Sequence, residues 1–122
     1  MNYISLGFFN GKLLHIIGYR YINGNLGLEI LNNNNEYAEV TMFDKDIKLN
    51  DGYLLLNSKI DEKLKKFLIK KNIFRIIKKI NNYEIAIINK NVYDKLLLKE
   101  VSFRWMRKKS TSILGLIDIY KL

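Results

Sequence analysis

The sequence of 122 residues contains no cysteine and no proline, and its only histidine is His15. The lack of cysteine excludes disulfides, thiol nucleophiles and thiolate metal sites, and a reducing cytoplasm is the simplest setting for such a chain. No apolar run approaches the roughly 18 residues that a membrane span requires, so we expect a soluble protein with no membrane partner. With 48% hydrophobic and 27% charged residues, the composition predicts a single globular domain covering residues 1–122.

Groups that could carry catalysis are also scarce. His15 lies within an apolar run, which favours a strand residue with a satisfied ring nitrogen over a general base. Asp44, Asp46 and Asp51 could surround a hard cation such as calcium, but their spacing lacks the glycine and the terminal glutamate of an EF-hand loop. No glycine-rich nucleotide-binding motif occurs. We therefore predict a protein that is not an enzyme and has no cofactor, no catalytic residue and no metal site.

Turn signals divide the first half of the chain into strands. The turns are predicted at Asn10-Gly11, at Asn23-Gly24, over 32–35 and at Asp51-Gly52. The apolar segments between them predict strands near 3–9, 12–21, 26–30, 37–43 and 53–56. In the third of these, alternation places Leu26, Leu28 and Ile30 on the core side and Asn25, Gly27 and Glu29 on a polar outer face. This half is predicted to be an antiparallel meander.

The hydrophobic period changes after residue 58. A helix is predicted near 59–71, with Asn57 or Ser58 as its cap and Asn72 as a left-handed stop. Two strands near 73–80 and 83–89 follow, with a hairpin turn predicted at Asn81-Asn82. Asn91 is the predicted cap of a second helix toward residues 104–109. The alternation in residues 92–122 also fits a strand, so both interpretations stay open there. The whole pattern predicts an α+β fold, an antiparallel β-meander of about 5–7 strands with one or two helices packed on one face.

The positive charge is concentrated in the second half. Residues 1–58 carry four basic and six acidic side chains, a net charge of −2, whereas residues 59–122 carry 17 basic and six acidic side chains, a net charge of +11. Such asymmetry within one domain favours a polyanion or an acidic protein surface as partner. The alternative interpretation is charge that serves only solubility on exposed faces.

The candidate binding residues form two groups. The first lies on the predicted helix and the strand after it, and comprises Lys63, Lys65, Lys66, Lys70, Lys71, Arg75, Lys78 and Lys79. The second comprises Arg104, Trp105, Arg107, Lys108 and Lys109. In the second group the tryptophan could stack on a base or anchor a protein contact, and the arginines could bind phosphate or carboxylate in a bidentate manner. The alternative for Trp105 is a core residue flanked by surface charge.

The hairpin signature from Tyr21 to Ile30, the Tyr37-Ala38 pair that opens the next strand, and the Lys/Leu-rich helix ending near 72–73 resemble a known group of proteins. This group is a family of small uncharacterised proteins carried by plasmids and other mobile elements of anaerobic bacteria, and the resemblance covers about residues 19–89. It implies a mobile-element accessory protein and assigns no activity and no site residue. The chain also looks like small phage-encoded anti-CRISPR inhibitors, a class that commonly occupies a surface of an effector complex.

The expected function follows from the charge and from these resemblances. We expect a non-catalytic phage or mobile-element inhibitor that binds a host defence effector protein or its guide RNA complex through the basic C-terminal half, in the host cytoplasm. The alternative is a general RNA- or DNA-binding accessory protein of a mobile element. Sequence-specific reading is unsupported, because the chain has no helix-turn-helix spacing, no zinc-finger ligand set and no aromatic RNA-binding strand motif.

Overall fold

The computed structural model describes residues 4–96, which form seven strands and two helices. In chain order these are β1 (Ile4–Phe9), β2 (Lys12–Arg20), β3 (Leu26–Asn32), β4 (Asn35–Glu39), β5 (Tyr53–Leu55), α1 (Glu62–Lys70), β6 (Phe74–Ile80), β7 (Tyr83–Ile88) and α2 (Lys90–Leu96). All strand pairs are antiparallel. The predicted α+β fold with a strand meander is confirmed.

The strands form two sheets that are joined through the backbone. The first has the order β1-β2-β3-β4 and the second the order β5-β7-β6. The fourth strand was expected to continue to residue 43, but β4 ends at Glu39. After Val40 N donates to Leu28 O (3.1 Å), the chain leaves β3, and Met42 N donates to Leu55 O (3.0 Å) in the second sheet. This crossing shortens β4 and connects the two sheets.

Asparagine supplies the tight turns. Asn10 and Gly11 have φ values of 51° and 76°, as a type I′ hairpin requires, and Asn33 and Asn34 have 53° and 69°. Asn81 joins β6 to β7 in the same left-handed region, with φ 55°. Asparagine tolerates this conformation better than most residues, so the turns predicted at these positions are confirmed.

The main core lies where both sheets pack against the two helices. Leu14 and Ile30 from the first sheet, Leu54 from the second, Leu68 from α1 and Leu96 from α2 are all completely buried. Completely burying a leucine side chain contributes on the order of 2 kcal/mol. This shared core ties the orientation of α1 to both sheets.

The alternation predicted that the outward face of β3 is polar and exposed to solvent. In the structure this face is buried. Asn25 is 4% exposed and Glu29 is completely buried. The segment between β4 and β5 covers part of this face: the Asn25 amide donates to Ile47 O (2.7 Å), and Leu49 N donates to the Asn25 side-chain oxygen (2.9 Å). A polar residue in a strand is therefore no sign of exposure here, because the covering segment supplies hydrogen-bond partners.

A second, smaller core occupies that outward face. It contains Ile17, Tyr19, Tyr21 and Leu31, with Phe43 packed against it. The two tyrosine hydroxyls are 3.1 Å apart, and Tyr19 is completely buried, which raises the pKa of its phenol well above the ordinary value. The ring of Tyr19 lies over Gly27 on the neighbouring strand, where a Cβ would fall 2.1 Å from the ring. Only glycine allows this close packing.

Neither helix begins at its predicted cap: α1 begins later than predicted, and α2 begins earlier. The N-cap of α1 is Asp61, whose carboxylate accepts from Leu64 N (3.1 Å), whereas Asn57 accepts from Lys59 N in the preceding turn. Before α2, the side chain of Asn89 accepts from Asn91 N (2.8 Å), so Asn91 is not the cap. The predicted stop is confirmed, since Asn72 has φ 62° directly after Lys71, the C-cap of α1.

Neither α1 nor α2, the helices of residues 4–96, has the length and apolar character to cross a membrane.

Candidate basic surface

Three lysines form a stripe on the solvent side of α1. Leu64 and Leu68 are buried against the core, which orients the helix. Lys63, Lys66 and Lys70 are exposed and lie within about 60° of one another around the axis, over roughly 10 Å of its length. We call these three residues the α1 stripe. Their spacing of three and four residues places the three ammonium groups side by side on one face of the helix.

The α1 stripe has no ion-pair partner in the part of the chain that the structure describes. Among the ion pairs formed within residues 4–96, none involves Lys63, Lys66 or Lys70. The same holds for the other exposed basic residues predicted as binding residues in this part of the chain: Lys71, Arg75, Lys78 and Lys79. Exposed cations without carboxylate partners leave a positive potential over the surface.

Lys65 does not belong to this surface, although the sequence grouped it with the other helix lysines. Its side chain is 11% exposed, and its ammonium lies 2.9 Å from both Glu62 Oε1 and Glu84 Oε1. The hydrogen bonds to Glu84 and then to Glu62 raise the pKa of Lys65. Since Glu84 belongs to β7, this lysine joins α1 to the second sheet and is a structural residue.

The basic residues of β6 lie on two faces of the sheet. Lys79 is directly opposite Glu84, so it points to the side of the sheet that carries α1. Arg75 and Lys78 are opposite Ile87 and Ile85, and they lie on the other side. The predicted group is therefore divided: Lys79 lies on the same side of the second sheet as the α1 stripe, whereas Arg75 and Lys78 lie on the other side.

Lys71 lies to one side of the α1 stripe. Its ammonium is 5.6 Å from the centre of the Phe67 ring, at a distance typical of a cation–π contact. Phe67 in turn packs against Phe9 of β1, with ring centres 5.0 Å apart. Lys71 therefore extends toward β1, away from Lys79.

The second predicted group, Arg104, Trp105, Arg107, Lys108 and Lys109, lies outside the described residues, as does the choice between helix and strand beyond residue 96. α2 accounts for the start of the predicted second helix.

The carboxylates of Asp44 and Asp51, two of the three loop aspartates, have separate partners. Asp44 accepts hydrogen bonds from Asp46 N (2.9 Å) and from the Tyr83 hydroxyl (2.7 Å), and these two bonds lower its pKa. Asp51 lies with Arg20 instead. Within residues 4–96, no three acidic or histidine side chains are grouped as a metal ion would require.

Sequence reasoning missed the cluster of Arg20, Asp51 and Tyr93. The guanidinium of Arg20 lies 2.8 Å from Asp51 Oδ1 and also donates to the Tyr93 hydroxyl, which itself donates to Asp51 (2.7 Å). The hydrogen bond from Tyr93, followed by the contact with Arg20, lowers the pKa of Asp51. No local pattern could reveal this cluster, because its members are 31 and 73 positions from Arg20.

His15 lies on β2, on the side of the first sheet away from the helices, and is half-buried. With Leu31, Asn33 and Asn34 it lines a shallow cleft of about 190 Å³. Its predicted position in a strand is confirmed.

The chain matches no protein-family model, no curated protein and no solved structure.

Proposed function

We propose that the protein is a non-catalytic inhibitor carried by a phage or mobile element, and that it blocks a nucleoprotein of a host defence system by covering an anionic surface. The observation that supports this proposal is the α1 stripe, which presents Lys63, Lys66 and Lys70 without ion-pair partners in residues 4–96. Lys79 adds a fourth cation on the same side of the second sheet. Blocking of this kind needs only a rigid charged surface and no reacting group.

The rigidity of the helix supports this function. Leu64 and Leu68 fix one side of α1 in the core, and Lys65 fixes its flank to Glu84. The backbone positions that carry the stripe are therefore fixed before binding, so that only the lysine side chains lose conformational entropy when a partner binds. Phosphate groups of a guide RNA or carboxylates of an effector protein are both suitable counter-charges.

A second candidate is a general RNA- or DNA-binding accessory protein. The same cations favour it, since phosphate contacts provide most of the affinity in sequence-independent binding. The two functions differ in their partner: the accessory protein binds free nucleic acid, whereas the inhibitor requires the assembled complex.

The test compares the wild type with a variant that carries Lys63→Glu, Lys66→Glu and Lys70→Glu. The matched control carries Lys12→Glu, Lys45→Glu and Lys95→Glu, which changes the net charge equally at exposed positions outside the stripe. Binding to labelled single- and double-stranded RNA and DNA is measured by anisotropy across a salt series. Interference by a CRISPR effector complex is measured in cells that express each protein.

The inhibitor proposal expects the wild type and the control to protect a targeted plasmid, and the stripe variant to fail. Binding of free nucleic acid that weakens steeply with salt and disappears in the stripe variant, without protection in any of the defence systems tested, would replace the inhibitor with the accessory protein. If the wild type neither protects the plasmid nor binds nucleic acid, both candidates are contradicted. If the stripe variant behaves like an active wild type, the α1 stripe is not the contact surface.

A further inference from the structure

A groove of about 640 Å³ lies on the face of the second sheet that points away from α1. Its floor contains Tyr53 and Ile85, and one wall is formed by Ile77 and Ile80 of β6. The opposite wall comes from the segment between β4 and β5 and includes Ile47. Ile77 is 39% and Ile80 44% exposed, both unusually open for isoleucine.

The edge of the same sheet lies next to this groove. Within residues 4–96, β6 has β7 as its one strand neighbour. Leu56 N donates to Glu84 O and Ile88 N donates to Gly52 O, so the backbone of β7 faces β5 at residues 84 and 88 and faces β6 at residues 83, 85 and 87. Lys79, opposite Glu84, therefore has its backbone N–H and C=O on the open edge of β6.

The charges along β6 decide which chain could pair with that edge. Arg75 and Lys78 lie on the groove side of the strand, and Lys79 lies on the other side. Pairing of two β6 strands would bring these cations of two copies together, which disfavours a homodimer through this edge. A nucleic acid strand is disfavoured by the exposed isoleucines, because they offer its phosphates and base edges neither charge nor hydrogen bonds.

We propose that this groove and the β6 edge bind an extended acidic segment of a partner protein, added as a fourth strand to the second sheet. Main-chain hydrogen bonds to β6 provide affinity, and every second side chain of the segment contacts the groove and provides specificity. Its carboxylates face Arg75 and Lys78, and its apolar side chains cover Ile77 and Ile80. The proposal goes beyond the α1 stripe and does not depend on it, because the two surfaces lie on opposite sides of the second sheet.

The probe is a fluorescein-labelled peptide of about eight residues, a usual strand length. Every second residue, on the face that meets the groove, is alternately glutamate and isoleucine, and the residues between them are threonine. Three control peptides accompany it: one with lysine in place of glutamate, one with the same composition in scrambled order, and one with methylated amides at alternate positions. We expect the probe to bind at least about tenfold more tightly than each control, which corresponds to about 1.4 kcal/mol.

Matched variants locate the site. Ile77→Asp and Ile80→Asp are expected to weaken binding of the probe at least about tenfold, whereas Ile69→Asp, at an isoleucine of α1 that is 37% exposed, should have no effect. Lys78→Glu should weaken binding, and Lys66→Glu should not. Thermal unfolding of each variant verifies that it is folded. Hydrogen–deuterium exchange of the β6 amides is measured on the wild-type protein, where bound probe should slow the exchange of the Lys79 amide.

Three results would overturn the proposal: equal binding of the probe and the lysine peptide, equal losses in the Ile69 and Ile77 variants, or no protection of Lys79 at saturating probe. The Ile77 variant should retain every activity that depends on the α1 stripe. A failure here therefore leaves the proposed function standing, and a failure of the stripe variant leaves this proposal standing.

Discussion

Two consecutive parts of the chain, residues 1–58 and residues 59–96, use charge in different ways. In residues 1–58, Arg20 is paired with Asp51, Lys48 donates to Asn23 O, and Lys12 lies over the ring of Tyr37. In residues 59–96 there are eleven basic and four acidic side chains, and of these cations only Lys65 and Lys90 form ion pairs within residues 4–96. The first region uses these three cations in contacts within the fold, whereas most cations of the second region have no ion-pair partner among the described residues.

The largest effect is expected in the first region, at the close contact between Gly27 and the Tyr19 ring. Gly27→Ala would place a Cβ against the Tyr19 ring, and the ring would have to leave the second core. Overpacking of this kind costs about 2–3 kcal/mol. Urea unfolding should show this loss, and Tyr19→Phe, which removes only the hydroxyl, should cost less. A loss under about 0.5 kcal/mol for Gly27→Ala would mean that the ring does not hold this position.

A smaller effect is expected for Lys65, the lysine of α1 that forms ion pairs within the fold. Lys65→Ala removes a nearly buried ammonium from Glu84 and Glu62 and should cost about 1–2 kcal/mol in the free energy of unfolding. Lys66→Ala, one position further along the same helix, should cost at most about 0.5 kcal/mol. Equal losses of unfolding free energy in the two variants would mean that Lys65 contributes no more to the fold than the exposed Lys66.

The next effect is the dependence of stability on pH at Asp51. The pKa of Asp51 is lowered in the folded protein, so its contribution is present above the unfolded value of about 3.9 and is lost as pH falls through the lower, folded pKa. Since Asp51 is largely exposed, the contribution is about 0.5 kcal/mol. Asp51→Asn should therefore be less stable than the wild type at pH 7, and the difference should shrink below pH 4. A difference that is constant with pH would exclude this linkage.

The smallest effect is expected on the α1 stripe. Replacement of Lys63, Lys66 and Lys70 with glutamine should change the free energy of unfolding by less than about 0.5 kcal/mol, because these side chains have no ion-pair partner in residues 4–96. Thermal unfolding tests this expectation. A larger loss would show that the stripe contributes to the fold, and the contrast between the two regions would then disappear.

Sequence signals predicted those structural features that are determined by neighbouring residues in the chain. Asn10, Asn72 and Asn81 end or turn the chain where the sequence indicated, because asparagine itself adopts the left-handed conformation. The burial of Glu29 and the early end of β4 were not predictable, since both depend on how distant segments meet. The same limit applies to the basic surface: the sequence identified the cations, but the pairing of Lys65 and the two faces of β6 follow from tertiary contacts.

The cluster of Arg20, Asp51 and Tyr93 has a consequence for the order of folding. It closes a loop of 73 positions between β2 and α2, and a contact of this range forms only after the intervening strands are in place. We therefore expect α2 to dock late, after the folding transition state. Weakening the cluster should then accelerate unfolding while leaving the folding rate nearly unchanged, so that this small polar cluster acts mainly on the lifetime of the folded protein.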